Sequence, residues 1–165
     1  MPATKQLLLL RHAKSSWDDL SLADADRPLA PRGQKAAKRI RAHLRREGVV
    51  IDRVLCSPAR RARETLDLVA PPGEVVIEEE LYGATSAGLL ERVRRLPEAV
   101  GTVMLIGHEP AIRELAVGLL EPDHELADRK FPTGGLATLT FAGPWSALAP
   151  EGARLAAFVI PRELP

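Results

Sequence analysis

With 165 residues, 45% of them hydrophobic, the chain can bury one sizeable core and is too short for two ordinary domains, so one domain over residues 1–165 is expected. Its 23 Lys and Arg against 22 Asp and Glu leave a net charge of +1, which offers no global field for holding nucleic acid or a membrane surface. A single cysteine, Cys56, excludes an internal disulfide, and with no leader-like or spanning apolar run the expected setting is the reducing cytoplasm.

Leu7 to Leu10 is an unbroken apolar run of strand length, as in a central strand covered on both faces. From Arg32 to Glu47, Ala36, Ala37, Ile40 and Leu44 recur at helical spacing among basic residues, and Gly48 supplies a stop. Val54 to Cys56 reads as a short strand. Ser57 as N-cap and Pro58 as first helical residue then predict a helix to about Val69, ended by Pro71-Pro72-Gly73. Val75 to Ile77 is a third strand, Ser86 to Arg95 a helix with Leu89, Leu90 and Val93 inward, and Val103 to Ile106 another buried strand. Pro110 at a first helical position predicts a helix to about Leu120, after which Leu136 to Phe141 and Leu155 to Ile160 return to β. The order βαβαβαβαββ predicts a three-layer α/β domain with helices on both faces. Its central sheet is mostly parallel, with the two late strands adding an antiparallel edge.

Three of these strands run straight into unusual polar residues: Arg11-His12, Cys56-Ser57-Pro58 with Arg60, Arg61 and Arg63, and Gly107-His108. If the strands are parallel, all three segments emerge on one edge, where open α/β sheets bind ligands. Two histidines and several guanidiniums make a pocket for an anion. Guanidinium forks match phosphate oxygens bidentately and can neutralise a phosphoryl-transfer transition state without a metal. A histidine is nucleophilic only when the attacking nitrogen is unprotonated, and repulsion from the arginines would push His12 towards that form. Its other ring nitrogen needs a fixed acceptor, commonly a backbone carbonyl.

On these residues the chain resembles the histidine phosphatase superfamily of phosphoglycerate mutase-like fold. Arg11-His12-Ala13 is similar to its Arg-His-Gly signature with the glycine altered, Ser57 to Ala62 resembles its Ser-x-x-x-Arg-Ala segment, and Gly107-His108 resembles its second-histidine motif. Arg-His-Ala-Lys-Ser-Ser-Trp, Asp26-Arg27-Pro28-Leu29, Gly107-His108-Glu109-Pro110 and Pro132-Thr133-Gly134-Gly135 are most similar to the small SixA-type phosphohistidine phosphatases. The resemblance implies that His12 is phosphorylated, that Arg11, Arg61 and His108 hold the phosphoryl oxygens, and that neither metal nor cofactor takes part. It places the acid/base on Glu79, four residues before Gly83, or on the adjacent Glu80. Lys14, Ser15, Asp18 and Ser57 are candidate phosphate-pocket neighbours, although a carboxylate at Asp18 would repel phosphate unless turned away. The implied substrate is a phosphohistidine protein, with a small phosphorylated metabolite as the alternative and a non-catalytic phosphate-binding module as a third reading.

The stretch between Arg61 and His108 has room for one strand, one helix and short loops, so an open site is expected. His43 and His124 sit among polar residues and carry no expected role. Cysteine phosphatases place a thiolate six residues before an arginine, whereas that position after Cys56 is Ala62, so Cys56 reads as a buried inert thiol. No cysteine pair or His-Glu-x-x-His supports zinc.

Overall fold

The computed structural model describes residues 3–165. The leucine run lies in β1, Thr4–Arg11, near the centre of a six-stranded sheet. The remaining strands are β2 (Arg53–Cys56), β3 (Glu74–Ile77), β4 (Thr102–Gly107), β5 (Leu136–Ala142) and β6 (Arg154–Val159), in the spatial order β3-β2-β4-β1-β5-β6. Pairings β1–β4, β2–β4 and β2–β3 are parallel, while β1–β5 and β5–β6 are antiparallel. Helices α1 (Pro31–Arg46), α2 (Arg60–Val69), α3 (Ser86–Arg94) and α4 (Ala111–Leu119) cover the two faces.

Because side chains of a strand alternate between faces, the run of four leucines feeds both layers. Leu7 and Leu9 join α3 and α4 through Leu89, Val93, Ile112 and Leu115. Leu8 and Leu10 join α1 and α2 through Ala37, Ile40, Leu44, Ala62 and Leu66. All four leucines are fully buried, each stabilising the fold by about 1.5–3 kcal/mol relative to exposure.

Several predicted boundaries shift. The first helix begins at Pro31, one residue early, since a proline at the first helical position needs no N–H partner. Ser57-Pro58 does not open α2: the helix starts at Arg60 behind Ala59, because the Ser57 hydroxyl is engaged with His108 at 2.7 Å. Pro110 caps α4 rather than lying inside it. Strand β1 extends beyond the leucines because Thr4 and Lys5 pair with Ala142 and Phe141.

Register aligns Arg11 with Gly107 and Cys56 with Ile106, so β1, β2 and β4 end on the same edge. Antiparallel β5 starts there, with Leu136 opposite Leu10. Its lead-in is bound to the β1 exit: the Gly134 N–H donates to the carbonyls of Arg11 and His12 at 3.0 and 3.1 Å, with Gly134 at a φ of 74° that favours glycine. On the other side α1 presses against the same exit. A Cβ on Gly33 would lie 2.1 Å from the Lys14 carbonyl oxygen, so only glycine allows that approach.

Candidate active site

His12 follows β1 directly and is 7% exposed. Its backbone N–H donates to the Gly107 carbonyl at 3.0 Å, tying it to the β4 end. Its Nδ1 lies 2.8 Å from the Ala13 carbonyl oxygen, which can only accept, so the ring proton sits on Nδ1 and the lone pair on Nε2. The Arg61 Nε–H, 3.4 Å away, points at that lone pair. His12 is held down to about 3, first by burial, with the Ala13 bond opposing and lesser repulsion from His108, Arg61 and Arg11. Burial, rather than the crowd of arginines the sequence pointed to, is therefore the main reason the ring is neutral.

His108 leaves β4 and places its ring 5.1 Å from that of His12, centroid to centroid. Ser57 Oγ accepts the Ala59 N–H at 3.3 Å and lies 2.7 Å from His108 Nε2, linking the ends of β2 and β4. Burial, followed by repulsion from Arg61, lowers His108 to about 4. Arg11 donates through Nη1 to the Phe131 carbonyl at 2.8 Å. Arg11 Nε and His108 Nδ1 are buried without a hydrogen-bond partner among the described residues, leaving unspent polar capacity in the cluster.

Arg61, 6% exposed on the first turn of α2, is occupied by a residue the sequence did not single out. Its Nη1 donates to the Asp24 carbonyl at 2.7 Å and its Nη2 to Asp24 Oδ2 at 3.0 Å. The Tyr82 hydroxyl donates to the same Oδ2 at 2.5 Å, and that bond first, then Arg61, holds the Asp24 carboxyl at about 2 despite some opposing burial. Tyr82 also lies edge-on to His108, at 5.7 Å between centroids. Asp24 and Tyr82 thus bracket the guanidinium that a phosphate would require. Beneath them Thr65, 1% exposed, accepts the Ala13 N–H at 3.0 Å and donates to the Arg61 carbonyl at 2.7 Å, joining the His12 loop to α2.

The other sequence candidates make no hydrogen bond to His12, Arg61 or His108, Ser57 excepted. Ser15 is buried and accepts Arg27 Nη1 at 2.8 Å; Arg27 also stacks 3.6 Å over Trp17. Lys14 and Asp18 are exposed. Neither predicted acid/base hydrogen-bonds to His12, Arg61 or His108: Glu80 pairs with Arg95 at 2.7 Å, and exposed Glu79 makes no side-chain hydrogen bond among the described residues. Another carboxylate, Glu109, lines a cavity with Arg11; burial raises its pKa while the Arg113 N–H and Arg11 oppose. Arg60 and Arg63 face outward, bonded to Glu64 and to the Pro58 carbonyl. Cys56 is fully buried, with burial raising its thiol to about 12, which leaves it unreactive at neutral pH. Asp24 and Thr65 carry no sequence signal of their own, since one is a carboxylate opening a short 3-10 turn and the other a single helical threonine. Tyr82, beside the Glu79-Glu80 pair, could have been found only by asking what else that turn brings to the edge.

A sequence profile for the histidine phosphatase superfamily (branch 1) matches residues 7–84, the stretch holding His12, Asp24 and Arg61. A solved structure from Nakamurella multipartitia, provisionally designated phosphohistidine phosphatase SixA, superposes with a TM-score of 0.88 at 32% identity, over 98% of this chain and 99% of that one. The chain belongs to the histidine phosphatase superfamily. Two further proteins are similar to it. An uncharacterised Mycobacterium tuberculosis protein is 41% identical over 159 residues, 93% of this chain and all of that protein. The phosphohistidine phosphatase SixA of Escherichia coli is 28% identical over 141 residues, 82% of this chain and 84% of that protein. The fold is the mixed α/β sheet of these histidine phosphatases, and the chain is a phosphatase. Among the described residues no helix is long and apolar enough to cross a membrane.

Proposed function

We propose that this phosphatase removes phosphoryl groups from phosphohistidine on protein substrates, working through a covalent phospho-His12. The observation that carries the reading is the His12 tautomer: the Nδ1–H bond to the Ala13 carbonyl leaves the Nε2 lone pair beside Arg61. Nε2 attacks phosphorus, the P–N bond to the substrate imidazole breaks, and a P–Nε2 bond forms. Water then attacks phospho-His12, releases inorganic phosphate and restores the free ring. Arg11, Arg61 and His108 receive the phosphoryl oxygens, with Arg61 exchanging its Asp24 partner for the incoming anion. A phosphohistidine leaving nitrogen needs less help from an acid than an ester oxygen, which suits a site where Glu79 and Glu80 stand apart. Ser57 positions His108 through its 2.7 Å contact with Nε2, whereas Ser15, bound to Arg27, and exposed Lys14 and Asp18 take no part in the phosphoryl transfer itself. A cytoplasmic setting is part of the reading, supported by the single buried thiol.

One observation favours a second reading, a general phosphomonoesterase of small metabolites. Glu109 lines a cavity with Arg11 and burial raises its carboxyl, the property of a proton donor to an ester oxygen. The test compares kcat/KM for a phosphohistidine peptide and for sugar phosphates in the presence of a chelator, with Glu109→Gln in parallel. The first reading expects the peptide to lead by at least a hundredfold and to be insensitive to Glu109→Gln. Faster turnover of sugar phosphates, lost in Glu109→Gln, would establish the second.

A further inference from the structure

Next to the His12 loop lies a cavity of about 330 Å³ lined by Lys14, Arg32, Lys35, Arg39 and Arg162, with no carboxylate in its wall. None of the five forms an ion pair among the described residues. Elsewhere several arginines are matched by carboxylates, as in Arg53–Glu74, Arg60–Glu64, Arg95–Glu80, Arg129–Glu125 and Arg154–Glu121. Five unpaired cations in one hollow of a chain with a net charge of only +1 are a local field with no internal counterpart.

A second cavity shares Lys14 and Arg32 with the first and adds Trp17, a residue 61% exposed. Its lone carboxylate is Asp18. The combination of an exposed indole with unpaired cations is that of a protein-binding surface, where aromatic anchors and arginines carry most of the affinity. Its dimensions exceed a single phosphate: Arg32, Lys35 and Arg39 follow one face of α1 over about 10 Å. That row begins at the catalytic edge, where the Ala30 N–H bonds the Lys14 carbonyl at 2.9 Å.

We propose that Trp17, Lys14 and the Arg32-Lys35-Arg39 face of α1 dock the acidic surface of the phosphoprotein substrate, holding it while its phosphohistidine reaches His12. The partner is defined by chemistry: carboxylates spaced along a helix or strand beside the phosphorylated residue. This rests on the phosphoprotein reading of the active site, and the experiment separates the two.

The probes are two phosphohistidine peptides that differ only in four glutamates replaced by glutamines, with p-nitrophenyl phosphate as a small substrate. Wild-type protein should favour the acidic peptide at least tenfold in kcat/KM, through KM. The preference should collapse in 1 M salt, where the screening length is about 3 Å. Arg32→Glu/Lys35→Glu/Arg39→Glu should abolish it while p-nitrophenyl phosphate turnover stays within twofold, which also shows that the variant is folded. Should the triple reversal not fold, the corresponding triple glutamine variant replaces it. Binding is read separately with the unphosphorylated acidic peptide: Trp17 emission should shift, since the other indole, Trp145, is fully buried. Equal use of both peptides, or a preference unchanged in the variant, would overturn the docking surface. A Trp17 shift that vanishes in the variant, without hydrolysis of either phosphopeptide, would leave docking standing and remove the phosphohistidine reading instead. Hydrolysis of both peptides without any Trp17 shift or acidic preference would do the reverse.

Discussion

Thr65→Val tests whether the site is assembled through one buried hydroxyl. Valine matches threonine in shape, so no cavity forms, but the Ala13 N–H loses its acceptor in a fully buried place. An orphaned buried donor costs about 1–3 kcal/mol. The Arg61 carbonyl loses the hydroxyl but keeps its helical bond, adding little. At about 2 kcal/mol and roughly 2–4 °C per kcal/mol for a chain of this size, the midpoint of thermal unfolding should fall by about 6 °C. Activity should fall further, because Ala13 carries the carbonyl that fixes the His12 tautomer and Arg61 begins the helix turn that Thr65 closes. A displacement of about 1 Å at such a site can cost a hundredfold, so kcat/KM for p-nitrophenyl phosphate is expected to drop ten- to a hundredfold. Thr65→Ser keeps both hydrogen bonds and should retain most of the activity. Scanning calorimetry and steady-state kinetics on the three proteins decide the matter. A Thr65→Val protein that melts within 1 °C of wild type with unchanged kcat/KM would refute the reasoning.

Further outcomes follow from the same geometry. His12→Ala should abolish turnover and acid-labile phosphate incorporation, whereas Cys56→Ser should leave activity within about threefold; the reverse pattern would assign the chemistry to the thiol. Because His12 and His108 are held to about 3 and about 4 in the folded chain, against about 6.5 when free, the unfolded chain protonates first. Stability is therefore full above about pH 6.5 and is lost as pH falls towards 4 and 3, and imidazole NMR should show no titration of His12 between pH 5 and 8. A His12 signal titrating near 6.5 would contradict its burial. Asp24→Asn removes a negative charge beside the phosphate-binding guanidinium, worth about 1 kcal/mol at 4 Å under water-like screening, so inorganic phosphate should inhibit at roughly fivefold lower concentration. An unchanged inhibition constant would mean that Asp24 swings clear when anions bind.

The leucine run, the basic amphipathic helix and the order of strands could be read from the chain because each depends on a repeating pattern that burial enforces. The convergence of Arg11, His12, Ser57, Arg61 and His108 at one edge followed from parallel strands ending together. What the pattern did not carry were contacts settled by tertiary neighbours. Ser57 has the composition of a helix cap and serves His108 instead. Glu80 has a suitable sequence position, yet Arg95 across the turn claims its carboxylate. Asp24, half exposed at the start of a 3-10 turn, matters only because the fold sets it against Arg61 and Tyr82.

Strand β1 is made first in the chain, yet its register is completed by β5, with pairs such as Leu10 and Leu136 more than 120 positions apart. The Phe131 carbonyl and Gly134 N–H that steady Arg11 and His12 arrive with that strand. Contacts of such long sequence separation form slowly, after local helices and turns. A nascent or truncated chain ending before β5 would therefore carry Arg11, His12, Arg61 and His108 without a phosphate site. Catalytic competence thus depends on β5, a strand that carries none of the four residues itself.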